Sequence, residues 1–397
     1  MTDALPRRTY LYFAAQSINL TAAVMSVTMA AIVGSALAPS AAWATVPYGC
    51  QFLFVLLATY LAARLMASIG RKKAFLLGAI PLLAAGMTGY LAIAHQQFWL
   101  LVLSHAALGV YIAFANFNRF AATDHLPPSL KPRALSLVVA GGVLAAVFGP
   151  LLTEALRGVV GLPVFSLCYA AFIGLAAVSA LLAICLPRDV PPPAQRQQPV
   201  DSARVRRVTP DIAVAMAVAG IGYGVMNLLM IQASMHMRHL HADFADIRLA
   251  IQWHVIAMFA PSFFTGQIIR RLGIKTTLHT GFALLLGCMA LNLAGDGHGW
   301  MTLSLVVLGL GWNLTYVGGG ALLAQALHDS PVAFQMQGKN DLVIALSATV
   351  GAFAPSLLFS SVSWDGTNVV CLVLCFAVWI AMGMGLGKGR QPRPATS

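Results

Sequence analysis

Met226 and Met230 stand four residues apart, and His254 and Met258 repeat that spacing a little further along the chain. Residues four apart leave one face of a helix, one turn above the other. Each pair therefore presents two donors to one ion. Thioethers are soft ligands that favour Cu(I), and imidazole accepts copper or zinc. Met25 and Met29 have the same spacing, 201 positions before Met226 and Met230. Met235, His236, Met237, His239 and His241 place five more copper-compatible donors in seven residues. The chemistry on offer is capture and passage of a soft cation. Core packing is the competing role, since methionine is also a flexible apolar filler and the chain has 16.

Positioning such residues is the work of membrane helices. The 397 residues are 59% hydrophobic and 9% charged, against about a quarter charged in a soluble domain. A spanning helix needs about 20 mostly apolar residues, and twelve such segments are predicted. They run over 10–38, 44–68, 74–95, 98–118, 134–157, 162–187, 211–236, 248–269, 275–295, 300–327, 340–361 and 366–387. The net charge of +12 is distributed by loop. Arg7, Arg8, Arg71 to Lys73, Arg119 to Arg133, Arg188 to Arg207, Arg270 to Lys275, Lys339 and Lys388 to Arg393 fall on one side. Little more than Arg157, Arg238 and Arg248 falls on the other. By the positive-inside rule both termini and the central loop are cytoplasmic. Topology explains the basic excess, so no nucleic-acid partner is expected; the partner surface is the lipid bilayer. Arg7 and Arg8 lead into a stretch too long for a signal-peptide core. Cys50, Cys168, Cys185, Cys288, Cys371 and Cys375 all fall in predicted helices, where packing is the expected role.

The Pro-, Gln- and Arg-rich segment 188–210 lacks apolar periodicity and reads as a cytoplasmic linker. It separates a six-helix bundle over 1–187 from a second bundle with a short tail over 211–397. The two repeat each other. Gly70 in "IGRKK" and Gly273 in "LGIKT" are 203 apart, Pro150 and Pro355 are 205 apart, and Ser104 and Gly109 recur as Ser304 and Gly309. Twelve helices in two pseudo-symmetric bundles, with Gly-basic loops after helices two and eight, resemble the major facilitator superfamily along essentially the whole chain. The family's acidic residue in that loop is replaced by Ala67 in the first copy and Arg270 in the second. Gly149 and Pro150 resemble the family's motif on helix five. The resemblance implies an all-α membrane protein with a solute site near the bilayer midplane, opened to each side in turn.

Carboxylates are scarce at depth: Glu154, Asp211 and Asp341 lie near helix ends, and no Arg or Lys lies at mid-helix. A near-neutral cavity is expected. His254 lies at depth, where an ionisable group is expensive and is by default functional. A Met-x-x-x-Met on helix seven with a His-x-x-x-Met on helix eight resembles the CcoA-type bacterial copper importers. That resemblance implies copper import through the inner membrane for cbb3-type oxidase assembly, with Met226, Met230, His254 and Met258 as ligands. Met25, Met29 and the 235–241 cluster would extend the metal path, the cluster capturing copper outside. The wider group also contains riboflavin transporters. A flat neutral solute would instead use Tyr111, Asn116, Asn227, Gln252, Trp253, Asn313 and Tyr316. No carboxylate pair, nucleophile triad or His-rich metal cluster is seen at membrane depth, so a transporter rather than an enzyme is expected. A monomer without a resident cofactor is also expected.

Overall fold

The computed structural model of the chain describes residues 5–40, 43–124, 126, 130–187, 208–327 and 333–388. Most of the predicted linker, 188–207, and the tail beyond 388 lie outside the described residues. Among the described residues the chain is helical throughout. The helices of the first group are α1 (Arg7–Leu37), α2 (Val46–Ile69), α3 (Arg71–Ala94), α4 (Phe98–Ala115), α5 (Asn118–Ala121), α6 (Lys131–Ala140), α7 (Gly142–Leu156) and α8 (Ser166–Cys185). Those of the second are α9 (Pro210–His239), α10 (Phe244–Phe259), α11 (Ser262–Leu272), α12 (Ile274–Ala294), α13 (His298–Ala326), α14 (Ala333–Ser361) and α15 (Ser363–Lys388). Ten spans are long and apolar enough to cross a bilayer among the described residues, and the bent pair α10–α11 makes an eleventh. The 29-residue α14 stands where the eleventh span was predicted.

Two predicted spans are interrupted. The fifth breaks at Gly141 between α6 and α7, and the eighth bends by 43° between α10 and α11. Pro261 at the second break has no N–H to continue the helical ladder, which is an established cause of a kink. Starts are fixed locally as well. Thr209 accepts a hydrogen bond from the Ile212 backbone N–H at 3.4 Å, and Asp243 accepts from the Asp246 N–H at 2.9 Å. Each side chain thus satisfies an N–H that the first helical turn leaves open.

Corresponding contacts recur in the two groups. Gly70 and Gly273 both turn between helices at positive φ, 84° and 82°, a conformation that side chains with a Cβ rarely adopt. A Cβ on Gly109 would stand 2.1 Å from the Gln51 carbonyl oxygen, and one on Gly309 would stand 2.6 Å from that of His254. The two glycines are 200 positions apart and the two carbonyl residues 203 apart. Small residues let membrane helices approach closely, and here α4 meets α2 as α13 meets α10.

The acid missing at position 67 is supplied from elsewhere. Asp124, in the loop after α5, accepts from Arg71 Nε at 3.1 Å, while its backbone carbonyl accepts from Arg8. Lys72 donates to the Ile184 and Leu186 carbonyls at the end of α8, at 2.6 and 2.7 Å. The basic loop is therefore anchored to its own helix group. All six cysteines are free thiols.

Candidate functional site

A cavity of about 150 Å³ lies between α1, α2 and α4 on one side and α9, α10, α13 and α14 on the other. That is room for on the order of ten waters. Its second-group wall is aromatic. Trp312 and Tyr316 stack nearly parallel, 4.7 Å apart at 12°, because residues four apart share a helix face. Tyr223 and Phe259 meet the Trp312 ring edge-on at 5.7 and 5.5 Å. Trp312 Nε1 is buried without a partner among the described residues. The opposite wall carries the amides Gln16, Asn19, Gln51 and Asn116.

The sequence reading placed no Arg or Lys at mid-helix, but an ion pair stands in this cavity wall. Arg119 Nη2 donates to Asp341 Oδ1 at 2.7 Å, linking the first group to the second, and the guanidinium lies 5.2 Å from the Tyr316 ring centre. The pair sums to zero, so the cavity is neutral overall while its wall is not. At the other end, Ala30, Tyr48, Met230, Ile231 and Ala352 form a small apolar cluster joining the groups.

The predicted metal ligands separate into two sets. Met226, Met230 and Met258 line the cavity. His254 does not. It is fully buried against α13, its Nδ1 2.7 Å from the Leu305 carbonyl, with Nε2 unpartnered among the described residues. Donation from Nδ1 to that carbonyl leaves a lone pair on Nε2. Met25 and Met29 are fully buried in the core of the first group, while α1 presents Gln16, Asn19, Leu20, Ala23, Val24 and Val27 to the cavity. The repeat in sequence is thus not a repeat in orientation. The 235–241 donors are dispersed around the end of α9. Met235 packs on the inter-group cluster, His236 stacks on Trp364 at 4.8 Å, Met237 enters the core, and His239 and His241 are exposed.

The residues predicted for a flat solute divide similarly. Asn116, Asn227 and Tyr316 line the cavity. Asn227 donates to the Ala348 carbonyl at 2.9 Å. Four others do not line it. Tyr111 points to Ser179 at 3.5 Å, Gln252 is half-buried, and Trp253 is exposed on the outer surface of α10. Asn313 is committed to structure: it donates to the Met258 carbonyl and Ser262 Oγ at 2.6 and 2.7 Å, and accepts from Thr265 Oγ1 at 2.7 Å. It holds both sides of the α10–α11 break, as neighbouring helices must when a membrane helix is interrupted.

The family model of the Major Facilitator Superfamily matches residues 11–328. The chain belongs to that superfamily. A riboflavin transporter, RfnT of Brucella anthropi, is 32% identical over 94% of this chain and 96% of the relative. An uncharacterised transporter of the superfamily, YdeG of Bacillus subtilis, is 25% identical over 89% of this chain and 87% of its own. A second from the same organism, YddS, is 25% identical over 76% and 73%. For this major facilitator the cavity between the two helix groups is where the fold class places a transported solute. Gln16, Asn19, Gln51, Arg119, Asp341, Trp312 and Tyr223 are among the cavity residues that sequence reasoning missed. Residues 223, 226, 227 and 230, at helical spacing along α9, held a signal for the last of them.

Proposed function

We propose that this chain imports riboflavin or a closely similar flat, neutral heteroaromatic solute by alternating access. The observation that carries this reading is the stacked Trp312–Tyr316 pair facing an amide wall across one cavity. A planar ring slides against an aromatic face, and stacking of this kind contributes about 1–3 kcal/mol per base-sized ring. Trp312 Nε1 and the amides supply hydrogen bonds that fix its orientation, as small-molecule sites require. Likeness to the Brucella anthropi riboflavin transporter over nearly the whole chain supports the same solute class. In this reading the bundles over 1–187 and 211–397 rock about the cavity, the 188–210 linker joins them, and both termini face the cytoplasm of a bacterial inner membrane. The transporter works as a monomer without a resident cofactor.

Copper import for cbb3-type oxidase assembly is the second reading. Three thioethers, Met226, Met230 and Met258, line the same cavity, and His254, one turn from Met258, carries an imidazole nitrogen without a partner among the described residues. One experiment separates the two: uptake of labelled riboflavin and of copper by cells unable to make riboflavin, expressing the wild type, Trp312→Ala or His254→Ala. Riboflavin uptake lost in Trp312→Ala but kept in His254→Ala supports the proposal. Copper accumulation abolished by His254→Ala, with riboflavin uptake absent from every strain, replaces it with the second reading.

A further inference from the structure

The amide corner of the cavity has an unequal set of hydrogen-bonding groups left over. Asn19 on α1 is fully buried in the cavity wall. Its Nδ2 stands 3.4 Å from both Gln16 Oε1 and Asn116 Oδ1, so both amide hydrogens are directed to its neighbours. Its own Oδ1 has no partner among the described residues. Gln16 and Asn116, whose oxygens are occupied, make no hydrogen bond through their NH2 groups among the described residues. The corner therefore holds one unmet acceptor, on Asn19, and two unmet donors, on the two residues that its NH2 group contacts. A buried carbonyl oxygen without a partner is costly, so a partner is expected to arrive with the solute.

We propose that Gln16, Asn19 and Asn116 read a ring imide, a planar edge in which one N–H sits between two carbonyls. The ring N–H donates to Asn19 Oδ1, and the flanking carbonyls accept from Gln16 Nε2 and Asn116 Nδ2. The order donor, acceptor, donor on the protein meets acceptor, donor, acceptor on the solute. Arg119, three residues beyond Asn116, brings this corner next to Tyr316, with its guanidinium 5.2 Å from that ring. An imide held at the amides thus lays the rest of its ring system toward the Trp312–Tyr316 wall. Asn19 becomes the specificity-determining residue, because it alone accepts. The inference rests on the flavin reading and sharpens it: discrimination lies in the ring edge.

The test is competition against labelled riboflavin in cells expressing the full chain, using lumiflavin, which keeps the ring N–H, and 3-methyllumiflavin, which replaces it with a methyl group. A site built to hydrogen-bond a group rejects the analogue lacking it. The wild type is expected to need at least about ten-fold more 3-methyllumiflavin for equal inhibition, from the cost of an unmet buried acceptor. Asn19→Ala should bring that ratio towards one and raise KM for riboflavin. Equal competition by both compounds in the wild type, with riboflavin uptake intact, overturns the imide subsite alone. No saturable riboflavin uptake by the wild type overturns the flavin reading and the subsite with it.

Discussion

Arg119 at the end of the fourth span and Asp341 on α14 meet at 2.7 Å, each side chain nearly buried, and so tie the two helix groups together along the cavity wall. Removing one member leaves the other charge buried and uncompensated, at a cost of about 3–5 kcal/mol. Arg119→Ala and Asp341→Asn should each lower uptake by about ten-fold or more at equal surface expression. The exchange Arg119→Asp with Asp341→Arg keeps a pair in place. It should recover several-fold more transport than either single reversal; a double variant no better than the singles would show that pairing is not what the two residues provide.

Trp312 offers a second test, on the aromatic wall. Its ring contacts Tyr316, Tyr223 and Phe259, so Trp312→Ala removes both the stacking surface and the unpartnered Nε1 donor. The expected loss in riboflavin affinity is about 1–3 kcal/mol, roughly 5- to 150-fold. Trp312→Phe keeps a face and loses the donor, and should fall between the two. Binding measured by quenching of flavin fluorescence would read all three proteins; indistinguishable affinities would remove Trp312 from the site.

The close approach of helices at the two related glycines predicts a stability effect apart from the cavity chemistry. A Cβ at Gly109 would sit 2.1 Å from the Gln51 carbonyl oxygen, which is backbone and cannot swing aside. Gly109→Ala must push α4 away from α2, and overpacking of this kind costs about 1–3 kcal/mol. It also loosens the position of Gln51, whose Oε1 lies 2.6 Å from Ser26 Oγ and 3.2 Å from His105 Nδ1. Purified Gly109→Ala is expected to melt several degrees below the wild type. Gly158→Ala, where a Cβ meets nothing, serves as the control and should match the wild type.

These residues mark what a linear reading can reach. Gly70 and Gly273 were legible because the basic loop and the offset locate them, and the structure gives them the same turn. Long apolar runs likewise located the helices. Arg119 and Asp341 were illegible because their depth depends on helix ends. The eleventh span was predicted from 340, but α14 begins at Ala333, which carries Asp341 two turns into the helix. Arg119 lies on α5, which continues the fourth span beyond its predicted end, instead of in a loop. Met25 and Met29 failed for another reason. Spacing places two residues on one face of a helix, but it does not say whether that face meets the cavity or the core.

Asn313 was read as a solute contact from its depth in the tenth span, but its side chain already has three partners. Its side chain receives from Thr265 and donates to Ser262 and to the carbonyl of Met258 at the end of α10. Without it, groups freed by the break at Pro261 lose partners in a place water does not reach, at about 1–3 kcal/mol for each unmet group. Asn313→Ala should therefore lower the melting temperature, and Asn313→Asp, which keeps the acceptor for Thr265 but loses the donors, should recover little. The transport defect should appear in the maximal rate, because the bend between α10 and α11 shapes how the second group moves against α6 and α7. KM for riboflavin should change by less than about two-fold. A large rise in KM with an unchanged melting temperature would instead return Asn313 to the solute site.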